Sequence, residues 1–242
     1  MAYPTLFSPL RLGAHDLRNR TVHTATVTGY GANTRPSERL IEYHRARAAG
    51  GTAMIVTELM PVHHTSLANP FLVSVFDEGN LDALKRWAAA VEEEDCRLVG
   101  QLGHVGRQQL WSPLATPVSA SARPDPLSWT VPHKMTLGEI EEMIESFVDA
   151  AERLQRAGFS GVELHGAHGY LLTQFMSPFS NDRDDKYGGG REGRLTFVRE
   201  MISGIRQRCG AGLLMGLKMP CDEGVAGGID PAEAEQIVKL FM

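Results

Sequence analysis

The segment His165-Gly166-Ala167-His168-Gly169-Tyr170 sets two imidazoles three residues apart, with a phenol two residues further on, directly after the run Gly161-Val162-Glu163-Leu164. At a strand-to-helix transition such a group can converge on one ligand oxygen, the rings polarising it and the tyrosine supplying a proton. Two histidines hydrogen-bonded to each other within a loop are the plainer alternative. A third reading gathers His23, His104, His165 and His168 around zinc, but HxxH is not HExxH and no CxxC pair accompanies it, so no metal site is expected.

Two further residues end apolar runs with polar side chains. Gln101, in Gln101-Leu102-Gly103-His104-Val105-Gly106-Arg107, offers a donor and an acceptor, which suits the pyrimidine edge of a flavin; a buried glutamine satisfying loop backbone is its plain counterpart. Lys218, in Gly216-Leu217-Lys218-Met219, is a cation that needs an anionic partner. It could face N1 and C2=O of a reduced flavin, or form a structural salt bridge with Glu58 or Asp222. No GxGxxG lies between a strand and a helix and no GxxxxGK[ST] occurs, which disfavours a Rossmann dinucleotide and P-loop chemistry. The mixed-sign run Asn181 to Gly190 reads by itself as a solvated loop.

The elements that must carry these residues alternate along the whole chain, short β-branched runs with longer helical periodicity, so the fold class is α/β. Strands are predicted at Thr21 to Thr26, Thr52 to Glu58, Arg97 to Leu102, Gly161 to His165 and Leu213 to Lys218. Ser37 caps a helix whose inner stripe is Leu40, Ile41, His44 and Ala48, and Leu81, Leu84, Ala88 and Val91 form a second stripe. Thr136 with Glu139 makes a capping box for the third helix, Leu195 to Ile205 carries the fourth, and Asp230, Pro231 and Glu233 open a fifth with an N-cap, a first-turn proline and a box acid. The connections Gly103 to Met135 and Gly166 to Gly190 are too long to be spacers, and both follow strand C-terminal ends. Thr26, Glu58, Gln101, His165 and Lys218 stand one at the end of each predicted strand. Five strands converging on one mouth favour a parallel (β/α)8 TIM barrel over a doubly wound sheet. Only about five βα units fit, so the barrel is expected to be truncated, an N-terminal piece of a longer one.

The 242 residues carry 24 Lys and Arg against 29 Asp and Glu, a formal charge of −5, with 43% hydrophobic residues. That excludes disordered and disulfide-scaffold classes and leaves nucleic acid no basic face. No run approaches a membrane span and the N-terminus lacks a leader pattern, so a cytoplasmic protein without membrane association is expected. Cys96, Cys209 and Cys221 are expected as buried thiols.

Taken together, the chain resembles the old yellow enzyme family of NADH:flavin oxidoreductases. The resemblance rests on Asn19-Arg20, Gln101 to Arg107, His165 to Tyr170, and above all Ser177-Pro178-Phe179-Ser180-Asn181-Asp182-Arg183-Asp184-Asp185-Lys186-Tyr187-Gly188-Gly189 followed by Arg194-Leu195-Thr196-Phe197. Thr24 to Tyr30 and Cys221-Asp222-Glu223-Gly224 look most similar to the multidomain branch of dienoyl-CoA reductases and trimethylamine or N-methylproline demethylases.

The resemblance implies one FMN-binding barrel domain over residues 1–242, incomplete at its C-terminal end. It places Ala25, Thr26 and Val27 under one edge of the ring, Glu58 close by, Gln101 on the pyrimidine and Lys218 at N1, where the family usually has arginine. His165 and His168 would hold a substrate carbonyl or anionic oxygen, and Tyr170 would donate the proton. NAD(P)H would deliver hydride to flavin N5, which passes it to an activated alkene of the enone or enoyl type; oxidative N-demethylation of a methylated amine is the runner-up. A metal-dependent barrel hydrolase and an inactive truncated fold are the readings from other classes.

Departures accompany the match: Val27 stands where relatives carry threonine or cysteine, and Ala25 replaces the common proline. The family's phosphate-binding glycines and arginine lie on strands seven and eight, and a 4Fe-4S cluster would belong only to a region beyond this chain. The partner is a small-molecule substrate. Unpaired edges of an incomplete barrel are expected to drive homo-oligomerisation.

Overall fold

The computed structural model describes residues 3–110 and 116–241, so residues 111–115 of the first long connection and Met242 lie outside the described residues. An antiparallel hairpin comes first, β1 (Leu10–Leu12) and β2 (His15–Leu17), turning through Gly13 at φ +54°. The sequence reading missed it, because three-residue strands are too short to show alternation. A parallel sheet begins with β3 (Val22–His23), β4 (Met54–Pro61) and β5 (Arg97–Gly103). A small parallel pair, β6 (Val118–Ser119) and β7 (His133–Lys134), occupies the connection that follows. β8 (Gly161–His165) and β9 (Leu214–Lys218) complete the sheet in the order β3-β4-β5-β8-β9.

Spatial order equals chain order, so there is no reversal and no switch point of the doubly wound kind. Residues beyond β3 and at the end of β9, the two edges, line one common cavity, so the sheet curls. The first strand is shorter than predicted: pairing stops at His23, and Thr24 to Thr26 run on as unpaired chain. The hairpin closes the opposite, N-terminal ends of the strands. His15 Nε2 lies 3.0 Å from the Gly212 carbonyl, and Asn19 Nδ2 donates to the Gly51 carbonyl at 2.8 Å.

The helices are α1 (Glu38–Ala49), α2 (Leu81–Glu92), α3 (Leu137–Arg156), α4 (Leu171–Met176), α5 (Arg191–Cys209) and α6 (Pro231–Phe241). The Ser37 hydroxyl accepts from the Leu40 amide, and the Thr136–Glu139 box closes in both directions. Both devices satisfy amides that a helix start leaves unpaired. The predicted stripe of α1 is buried as written, and α2 adds Trp87, fully buried between His44 and Phe159.

Glu233 departs from its expected role. Asp230 caps α6 alone, accepting from the Glu233 amide at 2.8 Å, while the Glu233 carboxylate is taken by Arg191 and Arg194 of α5. Cys96 and Cys209 are buried, but Cys221 is exposed in the loop after β9, against the expectation for all three. Among the described residues no helix is long and apolar enough to cross a membrane.

Candidate active site at the strand C-terminal ends

A β-bulge aims the first site residue. Between Val56 and Leu59 of β4 the ladder to β5 gains one residue, with Val56 opposite Val99 and Leu59 opposite Gln101. Bulges of this kind re-aim a side chain. Thr57 Oγ1 accepts the Gln101 amide at 3.0 Å and donates to the Glu58 carbonyl at 2.9 Å, fixing the irregular stretch. Glu58, 1% exposed, then accepts from the Thr28 amide at 2.5 Å and the Thr28 hydroxyl at 3.0 Å through one oxygen. Its other oxygen is buried with no hydrogen-bond partner.

All nine residues singled out in the sequence line a single cavity of about 170 Å³. Ala25, Thr26 and Val27 form one wall, although Val27 is 65% exposed and the Thr26 hydroxyl turns back to the Thr24 carbonyl. Glu58 and Gln101 lie in the C-terminal halves of β4 and β5, His165 and Lys218 at the ends of β8 and β9, and His168 and Tyr170 in the turn before α4. Ala68, Leu72 and Val105 supply apolar surface. An outer cavity of about 490 Å³ shares His168 and Lys218 with it. The inner space alone is below the roughly 300 Å³ common for ligand sites, so a ligand entering it extends past those two residues.

His165 and His168 hydrogen-bond to each other, Nε2 to Nδ1 at 3.1 Å, so as placed they do not both face one ligand oxygen. The bonding assigns the protons. His165 Nδ1 accepts the Ala167 amide, so its proton is on Nε2 and is given to His168 Nδ1, leaving His168 Nε2 as the donor free for a ligand. Burial, with His168 and Lys218 nearby, lowers the His165 pKa to about 3 and keeps it neutral. His168 sits at φ +59°, a left-handed conformation that costs a side chain about 1–2 kcal/mol. Gln108 Nε2 donates to the His168 carbonyl and Gln174 Nε2 to the Gly169 carbonyl, holding the turn. Burial raises the Tyr170 pKa, so the phenol stays protonated through neutral pH.

Lys218 makes no ion pair with Glu58 or Asp222, and no hydrogen bond from its side chain occurs among the described residues. Two partners were missed in the sequence. Glu163 accepts from Gln101 Nε2 at 2.6 Å across the β5–β8 register, turning the amide oxygen of Gln101 away from it. Its place two residues before His165, on the same strand face, was the available signal. Gln174 of α4 accepts the Arg107 amide and donates to Gly169, tying the two site loops together. The histidines of the zinc reading do not gather: His23 packs on Tyr43 and His44, and His104 bonds Thr65. Among the described residues no three His, Cys, Asp or Glu side chains come together to hold a metal.

The donor set fits a flat, largely apolar ring with one polar edge: apolar walls, an unpartnered buried carboxylate oxygen, an oriented amide and an unpaired cation. Acid sensitivity follows from the same burial. His44, His104 and His165 are each lowered from 6.5 to about 3 by burial, helped by neighbouring charges. The unfolded chain binds these protons near 6.5, so the stability they contribute is complete above that pH and drains as pH falls toward 3. The unfolding free energy measured in urea is expected to fall between about pH 7.5 and 5 by on the order of 1–2 kcal/mol per histidine, with the midpoint dropping accordingly. An unchanged or rising midpoint would contradict the neutral assignment.

The model of the NADH:flavin oxidoreductase / NADH oxidase family matches residues 5–242. NADH oxidase of Thermoanaerobacter brockii is 38% identical over 245 residues, covering 99% of this chain and 37% of that protein. A Rhizobium meliloti (strain 1021) protein described as "Probable N-methylproline demethylase" is 33% identical over 247 residues, covering 97% and 35%. The structure of 2-naphthoyl-CoA reductase with 2-naphthoyl-CoA superposes with a TM-score of 0.93 at 30% identity, covering 98% of this chain and 38% of that one. The chain thus spans a little over a third of each of these relatives. The five-strand curled sheet is accordingly the first part of a TIM barrel of the old yellow enzyme type. From residue 5 to its last residue, this chain belongs to the FMN-dependent NADH:flavin oxidoreductase / NADH oxidase family.

Proposed function

We propose that residues 1–242 are the N-terminal part of an FMN-binding barrel domain that passes hydride from NAD(P)H to an activated alkene of the enone or enoyl type. One observation carries the reading: six polar side chains from the C-terminal halves of four strands and the turn before α4, Glu58, Gln101, His165, His168, Tyr170 and Lys218, meet at one cavity. FMN, when bound, supplies the two-electron hydride carrier. Ala25, Thr26 and Val27 would support one edge of the ring and Glu58 would lie beside it. Gln101, oriented by Glu163, would meet the pyrimidine, and Lys218 would offset negative charge at N1.

His168 Nε2–H donates to the substrate carbonyl oxygen, and His165 joins it when its Nε2–H leaves His168 Nδ1. Polarising that oxygen makes the β-carbon electron-poor, and Tyr170 delivers the proton to the α-carbon. The substrate is a small molecule, the setting is the cytoplasm, and the unpaired edges β3 and β9 favour homo-oligomers. Oxidative N-demethylation by the same site is the second reading, favoured by the 33% identity to the demethylase-named relative.

The purified protein is expected to take up FMN with a yellow spectrum, to be bleached by NAD(P)H without oxygen and to recover colour on adding an enone. Bleaching by an N-methylated amine in place of NAD(P)H would select the second reading. A protein that takes up no FMN would end both.

A further inference from the structure

Two loops built alike wall the outer cavity of about 490 Å³. In the loop between β6 and β7, Asp125 is buried and accepts through Oδ2 from the Leu127 amide, the Ser128 amide and the Ser128 hydroxyl. Its own amide donates to the Thr130 carbonyl and its carbonyl accepts the Trp129 amide, both at 2.9 Å, where Trp129 turns at φ +60°. In the loop after β9, Glu223 accepts the Ile229 amide at 2.6 Å and donates its own amide to the Ile229 carbonyl at 2.8 Å, while Asp222 accepts the Gly224 amide at 2.7 Å. The carboxylates of both loops are thus turned to their own backbone, which they brace.

Each braced loop holds an apolar side chain outward. Leu127 is 82% exposed, the most exposed large hydrophobic side chain among the described residues, and Val225 is 40% exposed. Both line the outer cavity, together with Phe179 and Met219. Apolar groups gathered around a concave space, on backbone too well bonded to fold them inward, mark a place where something apolar binds. The occupant follows from continuity: this cavity meets the inner one at His168 and Lys218, and the inner space of about 170 Å³ is too small to hold a whole ligand. With a carbonyl oxygen at His168 and the alkene inside, the substituent on the far side of the carbonyl leaves through the outer cavity.

We infer that the substrate carries an extended apolar chain on its carbonyl carbon, and that Leu127 is a specificity-determining residue that grips this chain across from Val225. The inference rests on the flavin reading of the inner cavity. Its test titrates the oxidised, FMN-loaded protein, which binds enones without turning them over, with the series R–CO–CH=CH–CH3 as R lengthens from methyl to pentyl, following the visible spectrum of the bound flavin. Affinity is expected to rise about three- to fourfold for each added methylene, the value of burying that group. Leu127→Ser, a change at an exposed position that costs the fold little, is expected to weaken the pentyl enone about fivefold and the methyl enone less than twofold.

Affinity that stays flat or falls as R lengthens in the unaltered protein would overturn the inference. So would a Leu127→Ser variant that binds the pentyl enone as tightly as before, or that loses both ends of the series equally. A protein that holds no FMN would instead fail the reading beneath it, and that failure is visible before any titration.

Discussion

Replacing Tyr170 by phenylalanine is expected to leave flavin reduction by a nicotinamide at its wild-type rate and to slow reoxidation by an activated alkene about 10²–10⁴-fold, the usual worth of a positioned general acid. The phenol is placed by backbone: its amide bonds the Ala167 carbonyl at 3.2 Å, and α4 begins at the next residue. Its ring meets His165 edge-on at 5.1 Å, and burial keeps the hydroxyl protonated. Phenylalanine keeps the ring and removes only the hydroxyl that would donate the proton. Stopped-flow measurement of the two half-reactions separates them; equal slowing of both would mean that Tyr170 shapes the cavity instead of donating. Because the pKa is raised, the rate of the alkene half-reaction should hold through neutral pH and fall only on the alkaline side.

The largest stability effect is expected at Arg183, where methionine should cost about 3–5 kcal/mol, measured by urea unfolding. The guanidinium is 2% exposed and donates from Nη1 to the carbonyls of Ala120 at 2.8 Å and Met135 at 2.7 Å. Nε and Nη2 pair with both oxygens of Asp185. One side chain thus fastens the residues just after β6 and β7 to the Ser177–Gly189 block. Its loss leaves the Ala120 and Met135 carbonyls without this donor, and leaves Asp185, 27% exposed, with water and the Tyr187 amide in place of its guanidinium partner. A loss below about 1 kcal/mol would show that water replaces these bonds.

That block also marks where reading the sequence by composition went wrong. Asn181 to Gly190 looked like a solvated loop because charges of both signs alternate, yet Arg183 and Tyr187 are buried. Beside the local Asp185, the acceptors that bury them lie farther off, Ala120 and Met135 for Arg183 and Glu200 for Tyr187, beyond anything local polarity can indicate. The short helix α4 escaped notice for a related reason: all six residues are buried, so no polar face sets a period. Caps and stripes of α1 and α3 were readable because those helices border solvent on one side. Glu58, Gln101, His165 and Lys218, which line the cavity, stood out in the sequence because each is a polar residue in or after an apolar run. Glu163 did not, since its link to Gln101 depends on the register between two strands.

The turn at His168 sets foldability against chemistry. Glycine would relax the φ of +59° without penalty, as it does next door at Gly169, but would carry no imidazole. A more comfortable backbone there would yield a sturdier molecule with an empty-handed cavity, so the residue that strains the chain is the same one that can reach the ligand.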